Sequence, residues 1–528
     1  MSIFRRFRRR KKQKTGVVSQ GIDSQEESLN TSLHADFEKN RRIFHDLFTD
    51  CYDVIFHPFR VGGKVQAELI YIQNLSNVEE LNENVLSPLM LEMTSPRDIE
   101  TVLQDRLPVS SAKRVNTFSD CTRALTTGNP ILLIKGADWA LDLGIHKWEK
   151  RAIDEPENEP VIRGPKEGFI ESLQTNTSLL RRRIRSPQLK LKSLHLGRYT
   201  DTEVVVAYIE GIVNPDILAE VNRRLERIDI DGLMDSGYIE ELIEDHPFSP
   251  FPQVFTTEKT DAAAAGLLQG RIAILVDGSP EVLLVPVTLP GMLQAAEDYY
   301  NRYIPTTLIR WLRYLFFVVS ISLPSFYVAM TTFHQEGIPT EQLISFAAAR
   351  ERIPVPSLVE ALIMEFAFEA LREAGLRLPR IVGSAVTIVG ALVIGEAAVS
   401  AGLVSAPMVI VVATTGIASF TVPRYALGLP MRFLRFPLLI VSGTLGMVGM
   451  ILGLITIVVH LCTLRSFGVP YLSPVAPYKR KSIKDVLWRA PWWKMNWRPQ
   501  EFHTPNSRRK SPALKPGPGR GGEGGNSR

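Results

Sequence analysis

Four glutamates punctuate the stretch PSLVEALIMEFAFEALREAGLRLP (356–379): Glu360, Glu365, Glu369 and Glu373. A spacing of i, i+4, i+8 puts the last three on one face of a helix, with Glu360 beside them. The opposite face carries Leu362, Ile363, Phe366 and Leu371. Such carboxylates can do one of two things. On a surface helix they make intrahelical ion pairs, Glu369 with Arg372 and Glu373 with Arg377, worth about 0.2–0.5 kcal/mol each. Repeated around an oligomer, they form rings that concentrate cations at the mouth of a pathway. A fifth carboxylate weighs toward the second use. Glu396 interrupts the apolar run RIVGSAVTIVGALVIGEAAVSAGL (380–403), and an ionisable group inside such a run marks function by default. Gly383, Thr387, Gly390 and Ala391 give this run a small, polar face, and Val386, Val389 and Val393 supply an apolar constriction. The candidate ion pathway is therefore Val386, Thr387, Val389, Gly390, Val393 and Glu396, with the acidic stripe at its mouth.

No other constellation carries chemistry. The sequence holds neither G-x-x-x-x-G-K-[ST] nor G-x-G-x-x-G after a strand, and no Cys/His cluster at metal spacing. Its three cysteines, Cys51, Cys121 and Cys462, are far apart, which argues against a disulfide framework and fits a reducing compartment. Arg163–Gly164–Pro165 with Gly168 reads as an anion nest or, more simply, as a domain-entry turn. The basic run Arg181–Arg185 reads as a lipid or partner contact, or as a solvated face. Neither a catalytic residue, nor a cofactor site, nor a metal site is expected, and an enzyme is the least expected class.

Positioning these residues requires two kinds of architecture. A mean hydropathy of +0.02 averages over a polar N-terminal half and an apolar stretch from Tyr314 to Leu464. The first 14 residues hold eight Arg/Lys and no acid, a basic arm suited to anionic lipid, in a region (1–35) expected to be disordered. Two α/β subdomains follow, at 36–153 and 160–300, separated by the proline-bounded linker DEPENEP (154–160). In the first, helices are expected at 37–48, 78–93 and 96–107, and strands at 64–73 and 130–135. In the second, helices are expected at 167–184, 215–228, 231–244 and 261–268. Its strands are 203–209, almost wholly apolar and so central, and 271–277, joined by a DGSP turn to 281–289.

The membrane domain is expected at 308–464. Charge-free apolar runs place spans near 314–333, 381–403, 407–423 and 436–461, with Arg310, Trp311 and Arg313 at the interface. Gly446, Gly449 and Gly453 in the last span allow close helix packing. The basic tail 465–528, with Trp488, Trp492, Trp493 and Trp497, belongs in the cytoplasm by the positive-inside rule, and its end from Ser507 is expected to be disordered. Both ends inside requires an even count, so four crossings are expected, with the acidic helix 357–376 embedded but not crossing. Arg424, Arg432 and Arg435 then lie outside, at a cost. The basic tracts flank a membrane, so nucleic acid is not an expected partner.

These residues resemble a known family. PSLVEALIMEFAFEALREAGLRLP (356–379), IVGALVIGEAAVSAGLVSAPMVIV (388–411) and HLCTLRSFGVPYLSPVAP (460–477) are similar to the A subunit of GerA-type spore germinant receptors. VIRGPKEGFIESLQTNTSLLRRRIRS (161–186) and SPFPQVFTTEKTDAAAAGLLQGRIAILVDGSP (249–280) extend the resemblance to the polar half, so that it covers roughly residues 40–500. It implies a protein of the spore inner membrane with a cytoplasmic N-terminal domain. It further implies a transporter-like B subunit and a lipoprotein C subunit as partners, and assembly of the A subunit into a homo-oligomer, a pentamer, that conducts ions on a nutrient signal. The alternatives are a signalling scaffold without a pore and the paralogous stage V sporulation protein AF. The family usually carries Gln where this chain has Glu396.

Overall fold

The computed structural model describes residues 31–92, 112–146, 156, 159–377, 395–510 and 515–517. The basic arm 1–14, the helix expected over 96–107, most of the 154–160 linker and the last residues of the tail lie outside these. The chain divides into an α/β unit, made of residues up to Glu244, Val254–Pro286 and everything from Pro491, and a helical unit of Asp245–Gln253 and Val287–Ala490.

The α/β unit holds two five-stranded antiparallel sheets. The first is built on α1 (Phe37–Leu47), β1 (Val54–Val61), β2 (Val65–Ile72), β3 (Lys113–Val115), α2 (Phe118–Thr127), β4 (Ile131–Ile134) and β5 (Ala140–Asp142). Its strand order is β1-β2-β4-β5-β3. The second is built on α3 (Leu173–Arg183), β6 (Leu189–Leu196), β7 (Thr202–Ile209), α4 (Pro215–Glu226), α5 (Ser236–Ile243), β8 (Phe255–Thr257), α6 (Thr260–Leu268), β9 (Ile272–Val276) and β10 (Val282–Val285). Its order, β6-β7-β9-β10-β8, repeats the first strand for strand, and the helices α1/α3 and α2/α6 enter at matching points. The two subdomains are copies of one topology, a repeat that the sequence does not display.

One side-chain device survives in both copies. Asp36 caps α1, and four residues on, buried Asn40 accepts from His34 N–H (2.8 Å) and donates to the His34 carbonyl (2.7 Å). Ser172 caps α3, and four residues on, buried Asn176 accepts from Ile170 N–H (2.9 Å) and donates to the Ile170 carbonyl (2.5 Å). In each copy one buried amide satisfies both backbone groups of the strand-like lead-in, which would otherwise be orphaned under the helix. This is also why the helix expected over 167–184 begins only at Leu173. Gly168 and Phe169 pair instead with Lys259 and Glu258.

The first sheet is covered on both faces. Ile70 and Ile72 join Phe37, Phe44 and Phe118 on one side, and Ala67 and Leu69 join Leu81, Val85 and Leu89 on the other. Within the basic run Arg181–Arg185, Arg181 does not point outward. Arg181 is 1% exposed and binds both oxygens of Asp53 (2.7 and 2.8 Å), joining the second subdomain to the first. Arg182 and Arg183 both reach Glu167 (3.2 and 2.6 Å).

The tail is not free through residue 510. Phe502 is buried beneath the Arg271 guanidinium, 5.1 Å from the ring centroid, and Arg498 Nε donates to the Leu268 carbonyl (2.9 Å).

On α5, burial and the nearby Glu244, Glu281 and Asp235 push the Glu240 carboxyl up to about 7. A raised carboxyl stabilises the fold fully below its unfolded value, near 4.5, and loses that contribution as pH rises through about 7. Glu240→Gln is therefore expected to add about 1–3 kcal/mol of stability at pH 8 and almost none near pH 4.5. Denaturant unfolding at the two pH values checks this, and an equal effect at both would show that the carboxyl is not strained.

Candidate functional site: an acidic helix in the helical bundle

The helical unit is built on α7 (Tyr303–Phe333), α8 (Thr340–Arg350), α9 (Ser357–Arg377), α10 (Ala406–Phe420) and α11 (Tyr425–Thr463). Two of these, α7 and α11, are long and apolar enough to cross a membrane, and α10 is a shorter apolar helix. At the foot of α7, Arg310 (0% exposed) and Arg313 do not reach out to an interface. Both bind Asp298 (2.9 and 3.1 Å), and Arg310 also binds Asp485 (3.2 Å). Trp311 sets its ring edge against Trp488 and donates to the Leu487 carbonyl (2.6 Å).

The span expected over 436–461 is not one helix. Within α11, Gly446 adopts φ 63° and ψ −145°, and the chain reverses there. A Cβ on Gly449 would strike the Val441 carbonyl, and one on Gly453 would strike the Leu438 side chain. Those residues lie eight and fifteen positions apart, distances of about 12 and 22 Å along a straight helix. The segment is therefore a helical hairpin, and its glycines let one arm lie against the other. At the bend itself, a Cβ on Gly446 would meet Phe333 Cβ at 2.9 Å.

The contacts of α9 fix its direction. Leu358 packs on Gly443, Glu365 meets Arg435 and Glu369 meets Arg432, so α9 runs antiparallel to the first arm of α11. Helix α7 runs parallel to that arm: the Ser320 carbonyl accepts from Arg435 Nε (2.9 Å) and the Ser325 carbonyl from Ser442 Oγ (2.6 Å). Helix α10 runs alongside α9 in the same direction, with Ser405 at Glu360, Gly416 under Phe368 and Phe420 beneath Arg372. Tyr327, Val328, Ala361, Met364, Met408, Val412 and Leu439 form the bundle's apolar core.

The four glutamates do not form one solvent-facing stripe within the chain. Glu360 is fully buried at the start of α10, where its Oε1 accepts from both Ser405 N–H and Ser405 Oγ–H (2.6 Å each), and Arg350 lies 3.6 Å away. A carboxylate there complements the positive end of the α10 dipole. Glu365, also 0% exposed, accepts from Arg435 Nη1 (2.5 Å). Glu369 accepts from Arg432 Nη1 (3.0 Å), not from Arg372. Only Glu373 faces outward, in the intrahelical pair with Arg377 (2.6 Å). Three of the four thus hold α9 to its neighbours, because an apolar seam tolerates a carboxylate only with a partner.

The arginines that make the seam, Arg432 and Arg435, were visible in the sequence as charges stranded in an apolar stretch. Their number and sign matched carboxylates some sixty residues earlier, and that was the available signal.

Of the candidate ion pathway, Val386, Thr387, Val389, Gly390 and Val393 lie outside the described residues. Glu396 is described and exposed, on a helical segment at 395–400 beside α10. Among the described residues no group of three or more His, Cys, Asp or Glu is placed to hold a metal ion.

Comparison with known proteins places this architecture. Residues 42–501 match the family described as Bacillus/Clostridium GerA spore germination protein. The chain is 45% identical over 489 residues to an uncharacterized membrane protein, YfkQ, of Bacillus subtilis (strain 168), covering 92% of this chain and 95% of that one. It is 46% identical over 470 residues to spore germination protein KA of the same organism, covering 88% and 86%. It is 41% identical to spore germination protein B1, also from that organism, over 85% of this chain and 93% of that one. Among solved structures, the N-terminal domain of the A subunit of the Bacillus megaterium spore germinant receptor GerK3 aligns at 30% identity. That alignment covers 48% of this chain and 96% of that one, with a TM-score of 0.39.

Proposed function

Because the chain belongs to the GerA family of spore germination proteins, we propose that it is the A-type membrane subunit of a nutrient germinant receptor and that its helical unit contributes to a gated cation channel. The channel is a homo-oligomer, a pentamer by family resemblance, working beside a transporter-like B subunit and a lipoprotein C subunit in the spore inner membrane. The α/β unit and both chain ends lie on the cytoplasmic side.

The observation that carries the membrane part of this reading is the alternation of helix directions. Helix α9 runs back against α7, and α10 runs in the same direction as α9, so a chain that crosses with each of them needs one further passage before α10, which the apolar run 381–403 would supply. The two arms of α11 then go out and back. In this reading the count is six in place of the expected four: the acidic helix crosses, and the last span splits at Gly446. Six is even, so the basic tail stays on the side of the α/β unit, as the positive-inside rule asks. Arg432 and Arg435 no longer stand unpaired outside, since they are matched within the seam. The stripe acts as a seam holding α9 in register, and the segment 381–403 lines the pathway, with Glu396 on a face that the chain itself leaves open.

Ion flux from liposomes holding the purified chain, alone and with its B and C partners, tests this. Val389→Ala is expected to raise cation flux several-fold by widening the constriction, and Glu396→Gln to lower cation selectivity. Absence of flux from verified oligomers with both partners present would overturn the channel and leave a signalling scaffold.

A further inference from the structure

Beneath the N-terminal half of α1 lies a cavity of about 190 Å³, whose lining includes Phe37, Glu38, Arg41, Pro58, Gln66 and Glu68. Glu68 stands in mid-strand on β2, opposite Pro58 of β1 and Leu133 of β4, on the sheet face it shares with Ile70 and Ile72. It is 0% exposed. Its Oε1 accepts from Arg41 Nε (2.9 Å) and lies 3.5 Å from His45 Nε2. Its Oε2, equally buried, has no hydrogen-bond partner among the described residues. A buried acceptor left unmet costs on the order of 1–3 kcal/mol, more when charged.

The fold does not require this group, and the second copy of the topology proves the point. Val205 of β7 lies opposite Ser193 of β6 and Leu275 of β9, the place that Glu68 occupies in the first copy. There the residue is a fully buried valine. Counted from the caps Asp36 and Ser172, the positions of Arg41 and His45 are taken by Thr177 and Arg181. The second sheet thus closes with an apolar residue where the first keeps a carboxylate with a bare oxygen.

The electrostatics say what the bare oxygen lacks. Arg41 is shared by Glu68 and by Glu38 (3.7 Å), and Arg60, which also lines the cavity, pairs with neither, so Glu68 Oε2 is left without a charge-assisted donor. The missing group is a hydrogen-bond donor carrying positive charge, small enough for the cavity and with an apolar body for the Phe37 and Pro58 walls. We propose that this cavity binds a small primary alkylammonium ion, with an ammonium N–H donating to Glu68 Oε2 and the alkyl part against Phe37 and Pro58. Aromatic faces also attract such a cation. The site is independent of the channel reading.

The test is calorimetric titration of the full chain in lipid nanodiscs with n-propylammonium, tetramethylammonium and propionate. Propylammonium is expected to bind saturably. Tetramethylammonium, which has the charge but no N–H, is expected to bind at least ten-fold more weakly, and propionate not at all. Glu68→Gln is expected to weaken propylammonium at least ten-fold. Glu38→Gln, a change at the exposed rim that leaves the buried pair intact, is expected to weaken it several-fold and decides the matter if Glu68→Gln does not fold. No binding to the unaltered chain, equal binding of the two cations, or undiminished binding in Glu38→Gln would overturn the site.

Discussion

Arg435→Ala is expected to cost about 3–5 kcal/mol and to leave little folded helical unit, because it strands Glu365 as an uncompensated buried charge. The guanidinium is 1% exposed and serves two helices at once, Glu365 on α9 and the Ser320 carbonyl on α7. Removing it breaks both links. The paired apolar replacement, Arg435→Met with Glu365→Leu, is expected to restore most of the stability, since a buried ion pair is often no better than well-packed apolar residues. Glu373→Ala should cost no more than about 0.5 kcal/mol, as its pair with Arg377 is exposed and intrahelical. Thermal unfolding of the detergent-solubilised chain separates these cases. Arg435→Ala as stable as the unaltered chain would mean that the seam does not hold α9.

Gly446→Leu is expected to undo the hairpin. At φ 63° and ψ −145° any side chain is strained by about 1–3 kcal/mol, and a collision with Phe333 of similar size is added. The apolar sequence on both sides favours continuing as one helix once the bend is penalised. A straight helix of 39 residues would be about 58 Å long, roughly twice the hydrocarbon core, and would carry its C-terminal end to the other side. Cys462 reports this directly. It is the exposed cysteine, whereas Cys51 and Cys121 are buried. A membrane-impermeant maleimide is expected to label Cys462 in the unaltered chain only from the cytoplasmic side, and in Gly446→Leu from the opposite side or not at all. Identical labelling in both would show that the reversal does not depend on this glycine.

The elements most legible in the sequence were those whose signal is local. The DGSP turn between apolar runs marks the β9–β10 hairpin, and the almost wholly apolar 203–209 marks an interior strand. Less legible was β1, an edge strand whose apolar pattern is interrupted by His57 and Pro58. Pro58 is tolerated there because an edge strand leaves one row of its backbone groups outside the ladder.

The Gly446 reversal was hidden because an apolar run looks the same straight or folded, and glycines at such spacing read as a packing motif between separate helices. The surroundings of the acidic stripe were hidden for a different reason. Helical spacing shows which carboxylates share a face but not what that face meets, and the partners Arg432 and Arg435 are reached only through tertiary folding. The duplication was concealed where it matters most, at Glu68 against Val205, and persisted in Asn40 and Asn176, where a backbone need is met.

The return of residues from Pro491 to the α/β unit has a mechanical consequence. The chain passes between the two units four times: after Glu244, after Gln253, after Pro286 and after Ala490. A body held by one strap swings freely, but one held by four can turn only as far as the shortest strap allows, and it passes torque along the rest. Cutting the chain once, at any of the four passages, would not release one unit from the other. Removing the chain after Ala490 would leave the α/β unit without Phe502, whose ring fills the seat beneath Arg271.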